Sequence, residues 1–125
     1  MLDHIGLSVP DLKRALAFYD RALAPLGITR VMTFPDEGEP QGVGYGVGRK
    51  PFFWVSAHGS ASGPIHVAFA APDQAAVRAF HAAALAAGGR DNGAPGLRVE
   101  YHPTYYGAFV LDPDGNNLEA VNHGF

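Results

Sequence analysis

The sequence predicts an α+β domain built from two βαβββ repeats that form a cupped mixed sheet. Three observations lead there: a self-match within the chain, an alternating apolar run before each of two helices, and strand-and-turn material after each helix. A shift of 62 positions lays residues 4–27 on residues 66–89 in one ungapped frame. It pairs His4 with His66, Pro10-Asp11 with Pro72-Asp73, Phe18 with Phe80, Leu23 with Leu85 and Gly27 with Gly89. The tails match at a shift of 65, residues 53–59 on 118–124, which requires three extra residues in a loop of the second copy.

Each copy opens on a strand. Ile5, Leu7 and Val9 alternate with His4, Gly6 and Ser8, and Ile65, Val67 and Phe69 alternate with His66, Ala68 and Ala70. Asp11 and Asp73 are suited to cap the helices that follow, because a carboxylate accepts from the free N–H groups of the first turn. Leu12, Leu16, Tyr19, Leu23 and Leu26 recur at helical spacing up to Gly27. Val77, Phe80, Ala84 and Leu85 do the same up to Gly88-Gly89. Strands are then expected over 28–34, 43–47 and 52–57, and over 97–101, 106–111 and 117–122, with a tight turn at Asp112-Pro113-Asp114-Gly115. The glycine-rich run 42–48 lacks the Lys-Ser/Thr ending and the helix of a phosphate loop, so it reads as strand and turn. The whole is one domain, residues 1–125: repeat one 1–59, a linker over about 57–64, and repeat two 64–125.

Composition narrows the function classes. Twelve acidic and nine basic residues are scattered, with no basic run, so no nucleic-acid partner is expected. No apolar stretch approaches the roughly 20 residues of a membrane helix, and no signal-peptide pattern opens the chain. There is no cysteine, hence no disulfide, thiolate nucleophile or thiolate ligand. The expected location is the cytoplasm, with no membrane association.

The repeat also selects candidate chemistry. His4 and His66 lie on the strand face opposite the large apolar side chains, and repeat-equivalent positions meet when two copies pair about a pseudo-twofold axis. Glu119 sits in the last strand, flanked by apolar Leu118 and Ala120, and can reach the same place. Two imidazoles and a carboxylate suit a divalent ion and leave coordination positions open for a substrate. His102-Pro103-Thr104-Tyr105-Tyr106 precedes a strand at the expected rim. There His102 is a candidate general base, and the phenols of Tyr105 and Tyr106 are candidate donors to a substrate oxygen. Arg98, Arg49 and Tyr45 are weighed as contacts to an anionic substrate against ordinary surface roles. His58, His81 and His123 read as solvated side chains.

The segments Leu2-Asp3-His4-Ile5-Gly6-Leu7-Ser8-Val9-Pro10-Asp11 and Tyr106-Gly107-Ala108-Phe109-Val110-Leu111-Asp112-Pro113-Asp114-Gly115-Asn116-Asn117-Leu118-Glu119 resemble the vicinal oxygen chelate superfamily. It includes glyoxalase I, bleomycin-resistance proteins, fosfomycin thiol transferases and extradiol dioxygenases, and the resemblance covers the whole chain. It implies metal ligands from the first and fourth strands of each copy, slots held here by His4, Trp54, His66 and Glu119. An indole cannot coordinate, so Trp54 argues against glyoxalase I itself. It is expected to wall a substrate pocket or to pack in the core. The implied function is a divalent-metal-dependent lyase or dioxygenase (Zn, Fe, Mn or Ni) acting on a small oxygenated substrate, with Glu119 catalytic. The alternatives are a metal-free antibiotic-binding protein of the bleomycin-resistance type and a fosfomycin-type thiol transferase. A homodimer is implied by the same resemblance.

Overall fold

Two Pro-Asp pairs steer the chain from strand into helix. The computed structural model describes residues 2–57 and 63–125. The first copy comprises β1 (Ile5–Ser8), α1 (Leu12–Leu23), a 3-10 turn (Ala24–Leu26), β2 (Thr29–Phe34), β3 (Gly42–Val47) and β4 (Lys50–Ser56). The second comprises β5 (His66–Ala70), α2 (Gln74–Ala86), β6 (Arg90–Leu97), β7 (Tyr106–Leu111) and β8 (Asn117–Asn122). Asp11 accepts from the Arg14 amide at 3.0 Å and Asp73 from the Ala76 amide at 2.8 Å, so both caps satisfy the same helical donor. Most of the segment expected as a linker, and His58 with it, lies outside the described residues.

The strands form two four-stranded sheets, ordered β1-β4-β3-β2 and β5-β8-β7-β6, each with its first and last strands parallel. Register makes the repeat literal: Gly6 lies opposite Trp54, and Ala68 lies opposite Glu119. One face of each sheet packs on the helices. Leu7, Phe53, Val55 and Tyr45 from one sheet and Phe69, Val110, Leu118 and Ala120 from the other join a single buried cluster with Phe18, Tyr19 and Phe80. Burying each such large side chain contributes roughly 1.5–3 kcal/mol. The helices contact one another, and Phe53 meets Phe69 edge-on at 5.3 Å across the two copies.

A buried turn stitches the copies together. Asp112 is 1% exposed and accepts from the Tyr19 hydroxyl (2.5 Å), the Asn116 amide (2.8 Å) and side chain (2.9 Å), and the Asp114 amide (2.9 Å). Burial and the Asp112 charge push the Tyr19 phenol far above its usual range. Asn116 in turn accepts from the Ile65 amide at 3.1 Å.

Three expectations need correction. The strand expected over 97–101 lies instead at Arg90–Leu97, and residues after it turn. Its Asn-Gly and Pro-Gly content has the composition of a loop, yet it pairs with β7 through register shifts around Gly93 and Gly96. Tyr45 does not face a substrate: it is fully buried and donates to Asp20 at 2.8 Å. His81 is only 13% exposed and pairs with Asp91 at 3.0 Å.

Candidate functional site

On β8, alternation sends Leu118 and Ala120 to the core and Glu119 to the opposite face. Glu119 is nevertheless 3% exposed, because side chains of β5 and of the β6–β7 loop close over it. A buried carboxylate is costly unless partnered. One oxygen accepts a short hydrogen bond from the Tyr105 hydroxyl, and the other lies 3.1 Å from His66 Nε2. Gly107 makes this possible: a Cβ there would stand 3.3 Å from both the carboxylate and the Tyr105 ring. Burial and Glu119 push the Tyr105 phenol above its ordinary range, so it stays protonated as the donor.

The His66 ring is held from both ends. Its Nδ1 lies 3.0 Å from the Asn117 carbonyl oxygen, which can only accept, so Nδ1 carries the proton. In a neutral ring Nε2 then presents a lone pair to the Glu119 oxygen. Two acceptors facing each other call for a positive species between them: a second proton on the ring or a cation. A histidine whose other nitrogen is tied to a backbone carbonyl is also how metal-ligating imidazoles are commonly oriented. By this test His66 and Glu119 fit a divalent ion as two donors. They are not joined by a third, since no three His, Cys, Asp or Glu side chains cluster suitably among the described residues.

His4 stands apart from that pair. It precedes β1, is 54% exposed, and its Nδ1 lies 2.7 Å from Asp3, which also accepts from Lys50 at 2.8 Å. Lys50, and then His4, hold the Asp3 carboxyl below its usual range. His4 lines a cavity of about 430 Å³ with Ile5, Phe52, Phe53, Ala68 and Ala70, at the edge strands of the two sheets.

Trp54 lies on the open face of the first sheet over Gly44, whose missing Cβ leaves room for the indole. Tyr106 points the other way from Tyr105. It packs against the core with its hydroxyl 3.4 Å from Arg78, because strand alternation puts Gly107 on the Glu119 face. His102 does not touch Glu119. Its Nδ1 accepts from the Thr104 amide, so its Nε2–H donates to His123 Nδ1 at 2.8 Å. The two rings stack within 13°, and Tyr105 meets both edge-on. His123, expected in solvent, is thus engaged. Sequence reasoning missed the Asn117 carbonyl, which carries no side-chain signal, and Phe109, which stacks on His66 with ring centroids 6.2 Å apart.

Comparison with known proteins supports the architecture. The sequence model of the Glyoxalase/Bleomycin resistance protein/Dioxygenase superfamily matches residues 1–120. A glyoxalase/bleomycin resistance protein from Albidiferax ferrireducens T118 is 30% identical with a TM-score of 0.80, covering 97% of this chain and 98% of that one. TioX from Micromonospora sp. ML1 (18% identity, TM-score 0.71, 98% of both chains) shares the fold. So does lactoylglutathione lyase from Agrobacterium tumefaciens (22% identity, TM-score 0.67, 97% of this chain and 92% of that one). A search of curated proteins gave no match.

Proposed function

The chain belongs to the glyoxalase/bleomycin resistance protein/dioxygenase superfamily, and from that premise we propose a divalent-metal-dependent enzyme acting on a small oxygenated molecule. The observation that carries the reading is the His66–Glu119 pair, with Nδ1 anchored on the Asn117 carbonyl and Nε2 turned to the carboxylate. His66 and Glu119 would hold the ion, and His4 of a second copy would complete the set in a homodimer. Exposed Met32, Phe34, Leu97 and Val99 offer apolar surface for such pairing. A divalent ion bound there supplies Lewis-acid polarisation of a ligand oxygen. Glu119 would take a proton from the ligand, and Tyr105, already a donor to Glu119, would turn its hydroxyl to a ligand oxygen. Trp54 would wall the ligand site from the partner's sheet.

Calorimetric titration with Mn(II) or Zn(II) tests this. Wild-type protein should bind one ion per site, and Glu119→Gln or His66→Ala should weaken binding at least a hundredfold. His4→Ala should weaken binding as well and leave the expected dimer intact in sedimentation. Wild-type protein that binds neither ion rejects the reading. The second reading, a metal-free small-molecule binder, draws on the fact that both Glu119 oxygens already have partners within one chain. Elemental analysis of protein purified without chelator separates the two.

A further inference from the structure

Beside the His66–Glu119 pair lies a hollow of about 320 Å³, lined by Asn92, Gly93, Arg98, Glu100, Tyr101 and Phe109. We propose that this hollow is a carboxylate subsite, in which Arg98 receives the anionic end of a small organic acid whose oxygen-bearing end meets Tyr105 and Glu119. The assignment rests on the reading of the His66–Glu119 face as the ligand site.

The guanidinium has a cradle built for it. A Cβ at Gly93 would stand 3.2 Å from Arg98 Nη2 and 2.9 Å from the Phe109 ring, and a Cβ at Gly96 would stand 3.2 Å from Nη1. Gly93 and Gly96 are also where β6 shifts register against β7. The irregularity of this strand therefore opens the space that the charge occupies. The Arg98 carbon Cζ lies 5.5 Å from the Phe109 centroid, a cation–π position, and Nη2 donates to the Ala94 carbonyl at 2.7 Å. Among the described residues Arg98 forms no ion pair, although Glu100 lines the same hollow. The rest of its five-donor fork is available to a bidentate acid.

The loop also brings Arg98 to the site. The Arg98 amide donates to the Tyr105 carbonyl at 2.7 Å, which pairs the residue with the phenol that bonds Glu119. Phe109, under the guanidinium, stacks on His66 and lies opposite Glu119 in register. One aromatic ring therefore separates the cation from the His66–Glu119 pair. A ligand of about that length, flat and apolar between its two polar ends, fits.

Benzoate and its neutral isostere benzamide are the probes. Titrated into the full-length protein and followed by amide chemical shifts, benzoate is expected to perturb Gly93, Gly96 and Phe109 and to bind at least tenfold more tightly than benzamide. Arg98→Gln should reduce benzoate affinity by about ten- to a hundredfold, to the benzamide level, and Arg98→Lys should restore part of it. Equal binding of the two probes, benzoate affinity unchanged in Arg98→Gln, or no benzoate-induced shift at tens of millimolar overturns the subsite. Mn(II) titration of the same samples keeps the two ideas apart. Normal Mn(II) binding with Arg98-independent benzoate binding sinks the subsite alone, whereas Arg98-dependent benzoate binding without Mn(II) binding sinks the metal reading alone.

Discussion

His4 and His66 hold the same place in two copies of one unit, yet they live in different surroundings. His66 is inside a strand, its Nδ1 fixed by a carbonyl of the parallel neighbour and its Nε2 at a buried carboxylate. His4, whose side chain is 54% exposed against 49% for His66, sits just before its strand and leans on the side chain next to it in sequence. The slot opposite differs too, an indole over a glycine in one copy and a carboxylate under a phenol in the other. Duplication thus conserved the backbone frame and left the chemistry to be set by which side chains close over each face. In the second copy a buried acid found partners; in the first the equivalent slot became apolar.

The hairpins that end each copy should give the largest measurable contrast. Asp112 is buried among four donors, while Val47, its counterpart at a shift of 65, is 62% exposed. Asp112→Ala is expected to cost about 3 kcal/mol or more in urea unfolding, since each orphaned buried donor costs roughly 1–3 kcal/mol. Val47→Ala should stay within about 0.5 kcal/mol. Similar losses for both would remove the claim that this turn ties the copies together.

A smaller contrast separates two matched glycines. A Cβ on Gly89 would stand 2.6 Å from Val110 and 2.9 Å from both Phe18 and the Ala84 carbonyl, so Gly89→Ala should cost about 2–3 kcal/mol by overpacking. Gly27 has open space but a φ of 75°, and Gly27→Ala should cost about 1 kcal/mol from conformation alone. Thermal midpoints of the two variants will show whether the order holds.

The smallest effect is at the His81–Asp91 pair. His81, then the Gly93 amide, hold the exposed Asp91 carboxyl below its usual range. A carboxyl lowered on folding adds stability above its unfolded pKa, and that stability is lost as pH falls through the folded value. Asp91→Asn should therefore lower the thermal midpoint slightly at pH 6, and the difference should shrink as pH falls toward 2. A larger gap at pH 2 than at pH 6 would contradict the sign.

Much of this was legible in the residues. Periodicity located β7 and β8 to the residue, and the paired Asp caps followed from the repeat. The placement of β6 was hidden, because pairing to a neighbour overrode a composition of Gly, Pro and Asn that favours turns. The position of His4 relative to His66 was hidden for a different reason. A repeat fixes what is equivalent, but how two units dock depends on their faces, and here the helices meet. The partners of His102 and Tyr106 depend on which way single side chains turn, which alternation foretold for Tyr106 only once the strand's register was known.

The three residues by which the copies differ in length can now be located. The equivalent pairs Phe34–Gly42 and Gly96–Gly107 enclose seven residues (35–41) in one copy and ten (97–106) in the other. The longer segment carries Arg98, His102 and Tyr105, and it is closed on itself by backbone bonds from Arg98 to Tyr105, Tyr101 to Arg98 and Tyr105 to His102. A self-contained loop on a rigid stem can change its side chains without disturbing the core beneath it. In the proposed ligand site, Arg98 and Tyr105 would therefore be open to revision by drift or by grafting of one short insertion, while the duplicated frame goes on folding as before.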